Sequence, residues 1–357
     1  MKLFDTIAEM GHEQVVVCSD PVSGYRGIIA IHDTTLGPAL GGTRFWNYAS
    51  DEEAITDALR LSRGMTYKNA VAGLNLGGGK AVIIGDNRTP RREMIFRAHG
   101  RFVESLGGRY VTAEDVGTGT ADMDFVHMET DYVAGLAGKS GDPSPVTAHG
   151  VFRSIQASAM HRWGSDDLEG RTVSIQGCGN VGRHLAKSLD KAGAKVVVSD
   201  IDADRVNWVL AETSATAVDG DAIYSVKADI FAPCALGGVI NDATIPKLKV
   251  EIVAGAANNQ LLEPRHGDML EEKEILYAPD YVANAGGVIN VYSELAGWDS
   301  KRSFRKADEI YDTVLGVFEI ARADGIPSYE AADRLAERRL QAVNSMMRTW
   351  PSWPRKS

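Results

Sequence analysis

Apolar residues recur along this chain with two periods, and the switches between them mark out its elements. β-Branched runs at 13–18 and 27–32 read as strands joined by the turn Asp20-Pro21-Val22-Ser23-Gly24, so an antiparallel pair is expected early in the chain. Ser50-Asp51-Glu52-Glu53 has the capping-box pattern, and Ile55, Ala58, Leu59 and Met65 continue it as the apolar face of a helix running to about Lys68. Gly77-Gly78-Gly79-Lys80 leads into a strand that ends near Ile84. Residues 94–106 read as another helix, and 109–113 as a short strand ending in Glu114 and Asp115.

Residues 138–145 are dense in turn formers and separate two strongly patterned halves. A helix over about 146–162 follows, then strand, glycine turn, helix and strand across 171–200. Short apolar strands recur at 229–235, 251–259 and 275–287, each ending in small or amide residues. Ile310, Val314, Val317, Phe318 and Ala321 give a long amphipathic helix stopped by Gly325 and Pro327, and a last helix starts near Ser328. The pattern predicts an α/β protein of two domains, a mixed one over 1–140 and a dinucleotide-binding one over 141–327. The C-terminal helix within 328–357 is expected to return to the first domain.

The richest stretch is Gly177-Cys178-Gly179-Asn180-Val181-Gly182, with a strand before it, a helix over 183–191 and Asp200 closing the next strand. Val181, Leu185, Leu189 and Ala192 give that helix one apolar face. In a dinucleotide site Gly177 makes the sharp turn, Gly179 lets backbone approach a pyrophosphate, and Gly182 lets helix pack on strand. The phosphates then sit at a helix N-terminus, where free N–H groups and the macrodipole favour negative charge. Asp200 can accept hydrogen bonds from ribose hydroxyls and repel a 2′-phosphate, which favours NAD over NADP. Arg205 could instead accommodate such a phosphate, or be a solvated helix position. Gly77 to Lys80 is not a Walker A loop, because Ala81 and a strand follow the lysine. Its glycines suggest backbone exposed to a small ligand beside a lysine held on a rigid element.

At 357 residues the chain exceeds the usual single core, and 44% hydrophobic with 24% charged residues is an ordinary globular composition. A formal net charge of −10 argues against nucleic acid or an anionic membrane surface as partner. Cys18, Cys178 and Cys234 form no CxxC pair, and no apolar run reaches membrane-spanning length, so a reducing cytoplasm is expected. The histidines show no ligand spacing, and no metal is expected; His149 is the one to examine.

The segments Thr34-Thr-Leu-Gly-Pro-Ala-Leu-Gly41-Gly42-Thr-Arg44, Gly64-Met-Thr-Tyr-Lys68, Gly77-Gly-Gly-Lys80, Ala113-Glu-Asp115 and Asn284-Ala-Gly-Gly-Val-Ile-Asn290 together resemble the amino acid dehydrogenase family of glutamate, leucine, valine and phenylalanine enzymes. The resemblance covers nearly the whole chain and is nearest to the leucine-acting branch. It implies oxidative deamination: an L-amino acid, water and NAD⁺ give a 2-oxo acid, ammonium and NADH, in a cleft between the two domains. It further implies that Lys68 pairs with the substrate carboxylate, Lys80 activates water and Asp115 shuttles protons. Leu40, Gly41, Gly42, Met65, Ala113, Asn259, Val288 and Val291 would complete the substrate site. Asn180, Val181, Thr147, Cys234, Ala235, Ala256, Asn258 and Asn284 would join Gly177, Gly179, Gly182 and Asp200 around NAD.

The chemistry suits these residue types, since an iminium must be attacked by water and needs a base of near-neutral pKa. A lysine serves if burial and a second cation, here Lys68, lower its pKa. Aliphatic walls suit leucine, isoleucine or valine, whereas Gly79 and Tyr292 resemble the aromatic-acting relatives. Two further readings stay open: a non-catalytic NAD-binding regulator and a hydroxy acid dehydrogenase. Family members form dimers, hexamers and octamers, so a homo-oligomer, dimer or octamer, is expected, with Trp350 to Trp353 a candidate subunit contact.

Overall fold

The computed structural model describes residues 3–139 and 141–349, so the expected contact by Trp350 and Trp353 lies outside the described residues. The chain divides into two compact units. One holds the chain up to Gly141, Glu294–Ala296 and the chain from Ala336 on; the other holds Asp142–Ser293 and Gly297–Leu335.

In the first unit, α1 (Leu3–Met10) precedes β1 (Gln14–Asp20), β2 (Tyr25–Asp33) and β3 (Ala39–Trp46). Then come α2 (Asp51–Val71), β4 (Gly77–Ile84), α3 (Arg92–Glu104), β5 (Tyr110–Glu114) and α4 (Thr120–His127). The strands form one sheet in the order β1-β2-β4-β3-β5. β1 and β2 are antiparallel, as are β2 and β4, while β3 runs parallel to both β4 and β5. Alternation sorts the sheet's side chains. Ile28, Ala30 and Val82 pack with Ala54, Ala58 and Leu59 of α2, whereas Ile29, Ile31, Ala39 and Ala81 pack with Val103 of α3 and Tyr110.

α2 is capped as its sequence suggests, Ser50 Oγ accepting the Glu53 N–H, but Glu53 reaches back to the Ala49 N–H rather than to that of Ser50. The helix also runs three residues past Lys68, to Val71. Its core-facing positions include Ser62, Thr66 and Asn69, all buried, so its approach to the sheet is closer than a leucine-lined helix allows. Beside it lie two buried histidines: His12 bonds Ser62 Oγ at 2.8 Å and His32 bonds Thr66 Oγ1 at 2.8 Å.

The second unit begins with α5 (Ser144–Trp163), β6 (Thr172–Gln176), α6 (Asn180–Lys191), β7 (Lys195–Ser199), α7 (Ala203–Glu212) and β8 (Thr216–Ala217). β9 (Ile230–Pro233), β10 (Ile252–Val253), α8 (Arg265–Glu272), β11 (Leu276–Tyr277), α9 (Asp280–Ala283) and α10 (Gly286–Leu295) follow. α11 (Ser300–Asp308), α12 (Ile310–Asp324) and α13 (Ser328–Thr349) close the chain, with Gly325 ending α12 in a left-handed cap. All six strands are parallel, in the order β11-β10-β9-β6-β7-β8. Numbered from β6, that is the doubly wound order of dinucleotide-binding folds, and it reverses between β6 and β9. Among the described residues no helix is long and apolar enough to cross a membrane.

Candidate active site

Lys80 lies in the middle of β4, not before it: the strand begins at Gly77, four residues earlier than the sequence suggests. Residues 78, 80 and 82 face the α2 side of the sheet by alternation. There the lysine is 5% exposed and in contact with the Asp115 carboxylate. Burial pushes the ammonium down to about 7; the Arg44 guanidinium and, more weakly, Lys68 add to this, while Asp57 opposes it. An amine of this kind holds or releases a proton near neutrality, which an exposed lysine does not.

Asp115 follows β5 and is pinned by its backbone rather than serving as a helix cap, since Gly119 caps α4. Its N–H donates to Thr118 Oγ1 at 2.8 Å, and Thr118 Oγ1 donates in turn to Thr43 O at 3.0 Å. Gly42 makes the approach possible: a Cβ there would sit 2.9 Å from Asp115 Cβ and 2.4 Å from Glu114 O. Arg44 was not singled out for chemistry by sequence, although it ends the motif Gly41-Gly42-Thr43-Arg44. Its Nη2 lies 3.7 Å from Asp115 Oδ1 and its Nη1 donates to Asp57 Oδ2 at 2.8 Å. Tyr48 OH donates to that same oxygen at 2.7 Å. The outer side of this group borders an open depression of about 760 Å³ that Trp46 and Arg60 also line.

The structure gives these glycines a local packing reason. Cβ atoms at Gly41, Gly77 and Gly78 would lie 1.7 Å from Gly79 O, 2.0 Å from Asp33 O and 2.1 Å from Thr66 N. At these residues the chain's own backbone fills the space a side chain would take, which is by itself a reason for glycine. Gly79 is also explained locally, as its Cβ would sit 2.6 Å from the Tyr110 ring. Tyr292 packs edge-on against Trp298 at 5.0 Å. Neither departure therefore needs an aromatic substrate to account for it.

Leu40 and Ala113 are buried on adjacent strands β3 and β5, while Met65 and Lys68 are half-buried on α2. Asn259, Val288 and Val291 belong to the second unit. Asn259 has a left-handed backbone, φ 51°.

In the second unit Gly177 adopts φ +103°, and a Cβ on it would meet Ala235 N at 2.9 Å as the chain leaves β9 past Cys234. Gly182 is equally constrained, its Cβ position lying 2.0 Å from Gly177 O. Gly179 differs: its Cβ would point into open space, with only Arg205 Nη1 near, at 4.0 Å. α6 starts at Asn180, not at 183, so Asn180 and Val181 supply its first turn and its free N–H groups. Asp200 accepts the Cys178 N–H at 2.6 Å and the Asp202 N–H at 2.9 Å, which fixes it against the turn. Arg205 is not simply solvated; it is held by Asp202 at 3.3 Å.

Thr147 sits in the first turn of α5 and donates to Pro143 O at 2.9 Å. Asn284 Nδ2 donates to Ala256 O at 3.0 Å and to Asn258 Oδ1 at 2.9 Å, leaving its own Oδ1 buried with no partner. His149 bonds Asp308 at 2.8 Å and packs on Phe304, a structural placement. Among the described residues no group of three or more His, Cys, Asp or Glu could hold a metal ion.

Comparison with known proteins places these features in a family. Residues 12–132 match the model described as the Glu/Leu/Phe/Val dehydrogenase dimerisation domain, and 138–203 with 202–315 match that of glutamate/leucine/phenylalanine/valine dehydrogenase. The chain is 58% identical over 346 residues to leucine dehydrogenase of Geobacillus stearothermophilus, covering 96% of this chain and 94% of that one. It is 54% identical over 336 residues to valine dehydrogenase of Streptomyces coelicolor, covering 92% of each. The crystal structure of L-tryptophan dehydrogenase from Nostoc punctiforme superposes with a TM-score of 0.88 at 48% identity, covering 96% of this chain and 99% of that one.

Proposed function

The chain belongs to the Glu/Leu/Phe/Val dehydrogenase family, and on that premise we propose that it is an enzyme catalysing NAD-dependent, reversible oxidative deamination of branched-chain L-amino acids. The observation that carries the proposal is Lys80: a buried amine held near neutral pKa against Asp115, in a chain this similar to leucine dehydrogenases.

The second unit fits NAD on its own features. Gly179 leaves backbone open at the start of a twelve-residue helix, Asp200 stands beside that turn, and the orphan Oδ1 of Asn284 offers a buried acceptor for an amide N–H. NAD⁺, when bound, supplies the acceptor for the hydride that leaves the substrate Cα. The first unit's residues handle the rest. Lys68 pairs with the substrate carboxylate. Lys80 takes a proton from the water that attacks the iminium carbon, and Asp115 takes the hydroxyl proton of the resulting carbinolamine and passes it to the departing amine as the carbinolamine collapses. Because Lys80 must be neutral to accept that proton, deamination slows as pH falls below about 7.

Leu40 and Ala113 form an aliphatic wall for the substrate side chain, which suits leucine, isoleucine and valine. One methylene is worth only about 1–3 kcal/mol, so the preference among these three is graded rather than absolute. The first unit, matching a model described as a dimerisation domain, pairs copies of the chain into a homo-oligomer. The three free cysteines suit the cytoplasm.

The test is NADH oxidation with ammonium and a panel of 2-oxo acids. The branched-chain acids 4-methyl-2-oxopentanoate and 3-methyl-2-oxobutanoate are expected to turn over faster than phenylpyruvate, indolepyruvate, pyruvate or 2-oxoglutarate. Faster turnover of the aromatic acids overturns the substrate class, and turnover without ammonium overturns the reaction. Lys80→Ala is expected to lower kcat by about 10²–10⁴, the usual range for a lost acid–base group, with NAD affinity unchanged. Wild-type turnover in that variant removes Lys80 from the chemistry.

A further inference from the structure

Two charged residues behind the Lys80–Asp115 pair, Arg44 and Asp57, have no part in the steps above, yet with Tyr48 they form one connected group. Arg44 on β3 is flanked by two carboxylates, with Asp57 Oδ2 on α2 at 2.8 Å and Asp115 Oδ1 at 3.7 Å. β3 and β4 run parallel with Arg44 opposite Val82, so Arg44 shares with Lys80 the sheet face that α2 covers. Asp57 is itself fixed by the Tyr48 hydroxyl at 2.7 Å. The charged groups acting on Lys80 thus come from three neighbouring segments: Arg44 from β3, Asp115 from the segment after β5, and Asp57 and Lys68 from α2.

We propose that Arg44 is a positioning residue for the Lys80–Asp115 pair: clamped by Asp57 and Tyr48, it steadies the Asp115 carboxylate from the far side and sets the positive field in which Lys80 works. The inference rests on the deamination reading for its role in turnover, but not for the electrostatics. A guanidinium is suited to the task because it stays charged at every working pH and can face two carboxylates at once. Its charge opposes the protonated form of Lys80, while Asp57, at the other end of the clamp, favours that form and also draws off part of Arg44's influence. Arg44 and Asp57 therefore act on Lys80 with opposite signs.

That opposition is the test, because a merely structural role would not produce it. The pH dependence of kcat/KM for L-leucine is measured on full-length Arg44→Gln, Arg44→Lys and Asp57→Asn. Lys80 is titrated independently of activity by competitive acetylation with trace acetic anhydride, read by mass spectrometry of the peptide carrying it. Arg44→Gln is expected to raise the acid limb and the labelling midpoint by about one pH unit or more, the usual size for a neighbouring charge. Arg44→Lys, which keeps the charge, should restore most of the shift. Asp57→Asn is expected to move both downward.

Unchanged titration of Lys80 in Arg44→Gln, or shifts of the same sign in Arg44→Gln and Asp57→Asn, would overturn the proposal. If the labelling midpoints move in opposite directions while Lys80→Ala retains full turnover, the electrostatic inference stands and the deamination reading fails.

Discussion

Two glycine-rich stretches in this chain look alike in sequence and do different work. In Gly77-Gly78-Gly79-Lys80, each position where a side chain would begin is already filled by the protein: Asp33 O, Thr66 N and the Tyr110 ring. In Gly177-Cys178-Gly179-Asn180-Val181-Gly182 two of the three glycines are filled the same way, and only Gly179 opens to solvent. The first stretch brings helix and strands together tightly enough to bury a lysine against a carboxylate. The second leaves backbone open at Gly179, where the proposed cofactor would bind. A missing Cβ marks close approach; whether protein or ligand makes the approach depends on what lies opposite.

Adding one methyl group to each stretch should separate these roles. Gly78→Ala is expected to have the largest effect, because the new Cβ meets backbone and not the end of a flexible side chain. Overpacking of this kind costs about 1–3 kcal/mol or more, and chemical denaturation should reveal it; a variant as stable as wild type would show that α2 can move away freely. Gly179→Ala should leave denaturation unchanged, since φ there is −65° and the space is open, yet weaken NAD binding about tenfold or more by calorimetry. Equal loss of stability in both variants would erase the distinction. The smallest effect is expected at Asp200→Ser: discrimination against NADP should shrink, by roughly tenfold or less, as the carboxylate is removed while Arg205 stays beside the turn. Cofactor preference unchanged in paired Kd measurements would take Asp200 out of recognition.

Much of this was legible in advance, for reasons that vary by residue. The strand–glycine turn–helix–strand unit could be read because each of its steps is local, and Asp200 stands where that spacing puts it. Lys68, Lys80 and Asp115 were found through motifs, and Lys80 and Asp115 do meet. The local packing reason for Gly41, Gly77 and Gly78 was not legible, because sequence does not record what lies across a sheet or under a helix. Arg44 escaped notice for the same reason, since its partners come from α2 and from the end of β5. α11 went unread because Ser300–Asp308 is mostly charged, with few apolar positions to set a period. The strands β10 and β11 came out shorter than their apolar runs, as small residues there continue into irregular chain.

The last turn of α2 carries a consequence for how the chain is made. Its terminal carbonyls at Asn69 and Ala70 accept locally from the Leu74 and Gly73 N–H groups and additionally from Arg339 Nη1, at 3.2 and 2.8 Å, while Tyr67 OH donates to Glu337 at 2.9 Å. Those partners are synthesised some 270 residues later than the groups they satisfy. On the ribosome the helix bearing Lys68 can therefore close its end locally at once, and gains these side-chain anchors only when some 270 further residues have been made.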